Sequence, residues 1–347
     1  MKSNRTLLLL VICLLGLKSV QGQNDTDQMI KGSAQDASTL VKGYASPALS
    51  IIGYGLNQGW YNTAKPHKVL GIDLTATFSL IKIPTSEMAF YVDNTKLNNI
   101  ERLAGSGGIP QSGNVPTIFG SSLAPTYAYK SIPGSTQSPP IPGSEFSGAP
   151  GVDLSSVPVI KNSLPFPMAQ IGIGLPKGFE LKFRLVPTVK FGDKSSSSFK
   201  LFGVGLLHDV KQYIPGIKSL PFDLSGFIGY TKMDLNVAFD SQHPDQTGTL
   251  TSSATTIQGL ISKKFAVLTG YAGLGYNIAN TKLAINGKYD LTNTGNYVAV
   301  PININGSASG PRATFGLRLK LAVFTFHGEY TLQKYSALTL GFGISVR

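Results

Sequence analysis

The end of the chain constrains its fold more than any other stretch. In S-A-L-T-L-G-F-G-I-S-V-R, from Ser336 to Arg347, Leu338, Leu340, Phe342, Ile344 and Val346 alternate with Ala337, Thr339, Gly341, Gly343 and Ser345. Side chains of an extended strand point to opposite faces with period two, so one face here is apolar and the other small or polar. No charge interrupts the pattern before Arg347. A tilted strand of about 9–11 residues crosses a bilayer, and this alternation is what the wall of a membrane barrel requires. Leu70, Ile72, Leu74, Ala76, Phe78 and Leu80 repeat the design against Gly71, Asp73, Thr75, Thr77 and Ser79. Hydrocarbon tolerates no unpaired edge, so a barrel must pair its last strand with its first. These two stretches are predicted to form that closure.

Composition fits the same reading. Charged residues make up 14% of the chain, against roughly 25% in soluble domains, and glycine is abundant at 39 residues. A secreted β-sandwich would share these numbers, and alternation alone does not separate the two. The first residues resemble a secretory leader. Lys2 and Arg5 precede an uncharged run from Leu7 to Leu17, followed by Ser19-Val20-Gln21-Gly22. Residues 1–22 are therefore predicted to be a signal peptide, cleaved near Gly22, and the run is too short for a membrane span. Its removal takes Lys2, Arg5 and Lys18 and lowers the formal charge from +12 to +9. A basic balance can serve nucleic acid, which an exported chain seldom meets; anionic lipid head groups are the better match. The one cysteine, Cys13, lies inside the apolar run and matches a lipoprotein box poorly. The mature chain is thus expected to hold neither disulfide nor thiolate metal site. No run of about 18 apolar residues follows the leader, which excludes helical spans.

Residues 23–68 differ from the rest and read as a helical hatch. Ala37, Leu40, Val41, Tyr44, Ala45, Ala48 and Ile52 recur near 3.6, and Ser33 with Asp36 resembles a capping box. Pro47 is expected to end one short helix and begin another. Such a segment ahead of a barrel could plug the lumen, lie on the membrane or pack on the barrel mouth; a plug is favoured. The glycine-rich G-Y-G-L-N-Q-G-W-Y-N-T-A-K-P-H-K, from Gly53 to Lys68, holds the only tryptophan, Trp60. Its backbone should turn tightly against something, either as an interfacial aromatic anchor or as part of a gate.

Residues 69–347 read as the barrel, interrupted by a proline-rich stretch at 105–165 that is predicted to form a long loop over the mouth. Strands are expected at 69–83, 88–92, 168–175, 179–191, 199–207, 223–239, 249–262, 265–278, 282–291, 312–321, 322–332 and 336–347. That makes 12, with 14 also open, since bacterial barrels are even-numbered. A bulge is expected in 223–239 near Gly226 and Gly229, and H-D-V-K-Q-Y-I-P-G-I after Leu207 reads as a helical turn at the interface.

The stretch G-Y-G-L-N-Q-G-W-Y-N-T-A-K-P-H-K-V-L-G-I-D-L-T-A-T, together with P-T-I-F-G at 116–120 and F-G-V-G-L-L-H-D-V-K-Q-Y-I-P-G from Phe202, resembles a family of exported Bacteroidetes proteins of unknown function. That family is similar in layout to the FadL-type long-chain fatty-acid transporters of the outer membrane. The resemblance covers nearly all the mature chain and implies a 14-stranded barrel with an N-terminal hatch, admitting hydrophobic molecules that leave sideways through the wall. No ligand residue carries across by motif, and the chain ends in Val346-Arg347 rather than in an aromatic.

Enzyme chemistry finds little support. His67, His208, His243 and His327 lie in separate segments without metal-ligand spacing. There is no Gly-x-Ser-x-Gly elbow for an esterase, and Gly203-Val204-Gly205 lacks the third glycine of a dinucleotide loop. Asn305-Gly306-Ser307 spells a glycosylation sequon of no meaning in a bacterium. The expectation is a monomeric, cofactor-free outer-membrane barrel whose partners are membrane lipid and a small hydrophobic ligand or detergent in the lumen. Tyr54, Asn57, Trp60 and Tyr61 are the candidate hatch-to-wall and ligand-path residues. The competing expectation is a non-transporting adaptor in a secretion or surface assembly, using the 105–165 loop. A continuous apolar pocket beneath the hatch would favour transport, and a packed interior the adaptor.

Overall fold

The computed structural model describes residues 33–346, apart from 106–108, 131–142, 153, 155–159, 193–195, 240–244, 291–296 and 300. The expected signal peptide and His243 lie outside the described residues. Ten antiparallel strands close into a barrel: β1 (Ile72–Lys82), β2 (Ser163–Leu175), β3 (Phe179–Phe191), β4 (Ser197–Asp209), β5 (Asp223–Ala238), β6 (Thr247–Phe265), β7 (Leu268–Asn286), β8 (Ile302–Leu321), β9 (Phe324–Leu332) and β10 (Ala337–Val346). Each strand pairs with its neighbours in sequence, and β10 returns to β1 with Leu74 opposite Ile344 and Phe78 opposite Leu340. The closure is the one expected from the alternation.

Ten strands correct the expected 12 to 14. Residues Ala89–Val92 do form a strand, but it pairs with Gly113–Pro116 outside the barrel wall. The segments expected separately at 265–278 and 282–291 are largely one strand, β7, which runs on through Asn280, Thr281 and Lys282. Strand β8 starts ten residues before the expected 312 because small residues continue its alternation. The register between β5 and β6 is unbroken past Gly226 and Gly229; the irregularity lies instead between β3 and β4, at Phe199/Leu201. The 105–165 stretch also differs from a plain loop. Thr126–Tyr129 lies inside a four-stranded sheet with Ile100–Ala104, Ile109–Pro110 and Phe146–Ser147, and its last residues open β2.

Outward side chains such as Leu74, Phe202, Ile257, Leu274, Phe315 and Leu340 are exposed, whereas their inward neighbours are buried or, at Gly275, Gly316 and Gly341, half-buried. Left in water, each such side chain forgoes roughly 1.5–3 kcal/mol, a penalty that a soluble protein does not carry around its whole girth. No helix among the described residues is long and apolar enough to cross a membrane. The two mouths are unlike. Residues 176–178, 266–267 and 322–323 are tight turns, with 210–222 the one longer connection at that end. The Lys211–Tyr213 turn there is 3-10, in the segment expected to be helical. The opposite mouth carries residues 83–162 and the longer connections 239–246 and 287–301.

One helix, α1 (Ala34–Leu56), lies inside the wall against inward residues of β6, β7 and β8. It runs through Pro47 without a break, correcting the two short helices expected. Pro47 has no N–H to give, and the helix continues past it packed on β6, β7 and β8. Ser33 caps it by accepting from Asp36 N, but the capping box is incomplete. The Asp36 carboxylate turns away from the helix to accept Asn98 N and Asn99 N at 2.7 and 2.8 Å, which ties α1 to the 83–162 insertion.

Candidate functional site: a plugged lumen beside a short seam

The chain enters at the mouth bearing the long connections and threads the lumen before turning into β1. Ala37, Val41 and Leu49 pack on Ile285, Ile302 and Ile304. Lower down, Gly53 lies so near β7 that a Cβ there would come 2.6 Å from the Ala279 Cβ. Below α1 the extended stretch runs to the other mouth, where His67 N donates to Glu180 Oε2 at 2.9 Å and its ring bridges Glu180 and Ser345. Leu70, in the left-handed region at φ 62°, reverses the chain and donates to Gly174 O.

The four residues singled out from the sequence all touch the wall, at different strands. Tyr54 donates its hydroxyl to Ser309 O at 3.2 Å and packs on Tyr335, ring centroids 5.4 Å apart. Burial raises the Tyr335 phenol above its ordinary pKa, so it stays protonated. Asn57 donates to Thr255 O at 3.1 Å. Trp60 fits a hollow left by Gly203, Gly205 and Gly229, where added Cβ atoms would sit 3.2, 3.0 and 2.9 Å from its ring. Tyr61 donates to Gln258 Oε1 and meets Phe227 and Tyr271 edge-on.

The sequence reading missed the cations that clamp this segment. Arg184 on β3, wholly buried, donates to Leu56 O, Gln58 O and Gln170 Oε1, with its guanidinium carbon 3.6 Å from the Trp60 ring centroid. Gln170 in turn donates to Trp60 O. From β8, Arg312 donates to Asn57 O at 2.8 Å and reaches Gln58 Oε1. An arginine fork saturating main-chain carbonyls fixes backbone position, which a lysine cannot do as well. The signal was legible: in F-E-L-K-F-R-L, Glu180, Lys182 and Arg184 alternate with apolar residues and so must face inward.

The lumen divides in two. Toward the mouth bearing the long connections it is filled by α1, whose Ile51 and Leu56 pack with the wall residues Phe166, Met168, Phe199 and Leu201. Toward the tight turns it holds Asp73, Glu180, Lys182, Arg318, His327 and Glu329. Lys182 Nζ lies 2.6 Å from Glu180 Oε1 and 3.9 Å from Asp73 Oδ2. Among the described residues, no group of three or more His, Cys, Asp and Glu converges as a metal site.

Beside the apolar half the wall is thinly joined. β1 and β2 pair over eleven residues, whereas β2 and β3 pair over five, from Ile171 opposite Phe183 to Leu175 opposite Phe179. Continuing that register would set Pro167 against Pro187, neither of which has an N–H to give. The ladder to β1 passes unbroken through Pro165 and Pro167, so their missing donors fall on the β3 side. Across this seam the Arg184–Gln170 hydrogen bond links the strands by side chains, just beyond the last backbone pair.

No curated protein matches the chain. Among solved structures it is similar to Ail, the attachment invasion locus protein of Yersinia pestis, at 12% identity over 48% of this chain and 95% of Ail, TM-score 0.27. It is also similar to the Pseudomonas putida toluene transporter TodX, at 7% identity over 87% of this chain and 93% of TodX, TM-score 0.23. The Ralstonia pickettii toluene transporter TbuX matches at 6% identity over 80% of this chain and 89% of TbuX, TM-score 0.21. Scores this low carry no argument about what the chain does. The sequence profile of a family of unknown function (DUF6588) matches residues 1–346, and the chain belongs to that family.

Proposed function

We propose that this barrel sits in the bacterial outer membrane and passes small hydrophobic molecules from the outside into the bilayer, sideways through the β2/β3 seam. The observation that carries the reading is the coincidence of that weak seam with the apolar half of the lumen. Ile51 and Leu56 of α1 pack on Phe166, Met168, Phe199 and Leu201, so a hydrophobic solute entering past the 83–162 insertion passes only as α1 moves off these side chains. Below them it meets Trp60, Arg184 and Arg312, where desolvating the buried polar groups opposes onward passage. The low-cost exit is the wall, where few backbone hydrogen bonds must be broken. Tyr54, Asn57, Trp60 and Tyr61 act in this reading as plug contacts that block the axial route.

A cysteine pair at Ala169 and Leu185, outward-facing positions on either side of the seam, tests it. Cross-linking the pair in the full chain reconstituted in vesicles should abolish uptake of an apolar fluorescent probe, and reduction should restore it. Uptake unaffected by the cross-link contradicts the seam. A second reading is a non-transporting adaptor barrel, which a packed interior favours, and here α1, Trp60 and Arg184 pack the lumen. Absence of any probe uptake by the uncross-linked protein favours it.

A further inference from the structure

The outer face of the wall carries a furrow on the side away from the seam. Read across the sheet, one outward row is Lys263, Gly270, Leu317, Gly328 and Leu340; the next is Ile261, Ala272, Phe315, Tyr330 and Leu338. Gly270 and Ala272 follow one another along β7, so that strand has almost no side-chain height between the walls raised by β6 and β8. A Cβ built at Gly270 would meet nothing nearer than a Leu317 methyl at 3.9 Å. The hollow offers about 860 Å³, open to the outside, with Phe222 and Lys263 among its lining residues. The Lys263 ammonium lies 5.0 Å over the Phe265 ring, so the charge sits at the end of the furrow nearest the turns.

We propose that this furrow is a binding site for an anionic glycerophospholipid of the leaflet on the tight-turn side, with one acyl chain along Gly270 and Ala272 and the phosphate at Lys263. The floor at Gly270 and Ala272, between the exposed Leu268 and Leu274, takes a segment of one chain, and lined mostly by apolar atoms it favours hydrocarbon over water. A cation at its interfacial end, on a long stem that can follow the head group, supplies the charge complement. The inference rests on the membrane part of the proposed function and not on transport. Failure of the uptake assay leaves it standing, whereas a wall that does not face lipid removes both.

The test is native mass spectrometry of the full chain, stripped of lipid and titrated with phosphatidylglycerol or phosphatidylcholine. The wild type should hold phosphatidylglycerol several-fold better than phosphatidylcholine. Lys263→Gln should abolish that preference, and Gly270→Leu, which fills the floor, should lower adducts of both lipids at least five-fold. Heat-modifiable migration on a gel checks folding of each variant, and Ala272→Leu stands in for Gly270→Leu if the latter does not fold. Equal retention of both lipids by the wild type, or unchanged retention when the floor is filled, overturns the proposal. So does a lipid-free dimer that Gly270→Leu converts to monomer, which would assign the furrow to a second copy of the chain.

Discussion

Arg184 stacks its guanidinium on Trp60, carbon to ring centroid 3.6 Å, while two of its nitrogens hold the carbonyls of Leu56 and Gln58. One side chain therefore fixes both the ring and the backbone of the segment that fills the lumen. Arg184→Ala takes this donor from Gln58 O and Gln170 Oε1, while Leu56 O keeps Thr231 Oγ1, a loss of about 1–3 kcal/mol. The temperature at which the folded gel band shifts should fall, and ion conductance in planar bilayers should rise above that of the wild type. Arg184→Lys, retaining charge without the fork, should lie between. Identical conductance for all three proteins would show that Arg184 does not hold the plug.

Trp60 is the only tryptophan, so emission excited selectively at the indole reports on the plug. Its buried ring should emit at short wavelength in the wild type. Gly229→Val places a side chain where even a Cβ comes 2.9 Å from the indole. The ring must leave its hollow, and emission should shift to the red while the barrel stays folded. An unchanged spectrum would contradict the packing described.

The fold was legible where strand chemistry is local. The β1/β10 closure follows from alternation in two ten-residue stretches, because a bilayer outside and a filled lumen inside impose period two directly. Strand number was less legible. Beyond the apolar belt the outward flank need not be apolar, so Ala279 to Thr281 in β7 and Ile302 to Gly310 in β8 look like loop. Conversely, Ala89–Val92 alternates but pairs in the insertion. The aromatic and amide residues of the plug stood out by their density in one segment. Their partners did not, since Gln170 and Arg184 on the β2/β3 hairpin and Arg312 on β8 lie far in sequence from the plug and surround it only on barrel closure.

Asp36 joins the plug helix to the insertion through the amides of Asn98 and Asn99. Asp36→Ala should speed hydrogen exchange at those two amides at least ten-fold and leave the wall strands unaffected. Equal protection in both proteins would mean that the insertion holds itself in place.

Prolines keep the β2/β3 seam short. Replacing Pro165, Pro167 and Pro187 by alanine returns three N–H donors. The ladder should lengthen, the gel-shift temperature should rise, and uptake of an apolar probe should slow. Faster or equal uptake would contradict an exit at this place.

Everything proposed for the wall depends on which flank of each strand meets hydrocarbon. Single nitroxide labels placed one at a time from Leu338 to Ser345, in the protein reconstituted in phospholipid bilayers, measure this through relaxation by dissolved oxygen. Positions 338, 340, 342 and 344 should be strongly relaxed, with 339, 341, 343 and 345 protected, in strict alternation. Uniform relaxation along the strand, or strong relaxation at the inward positions, would contradict a lipid-facing wall.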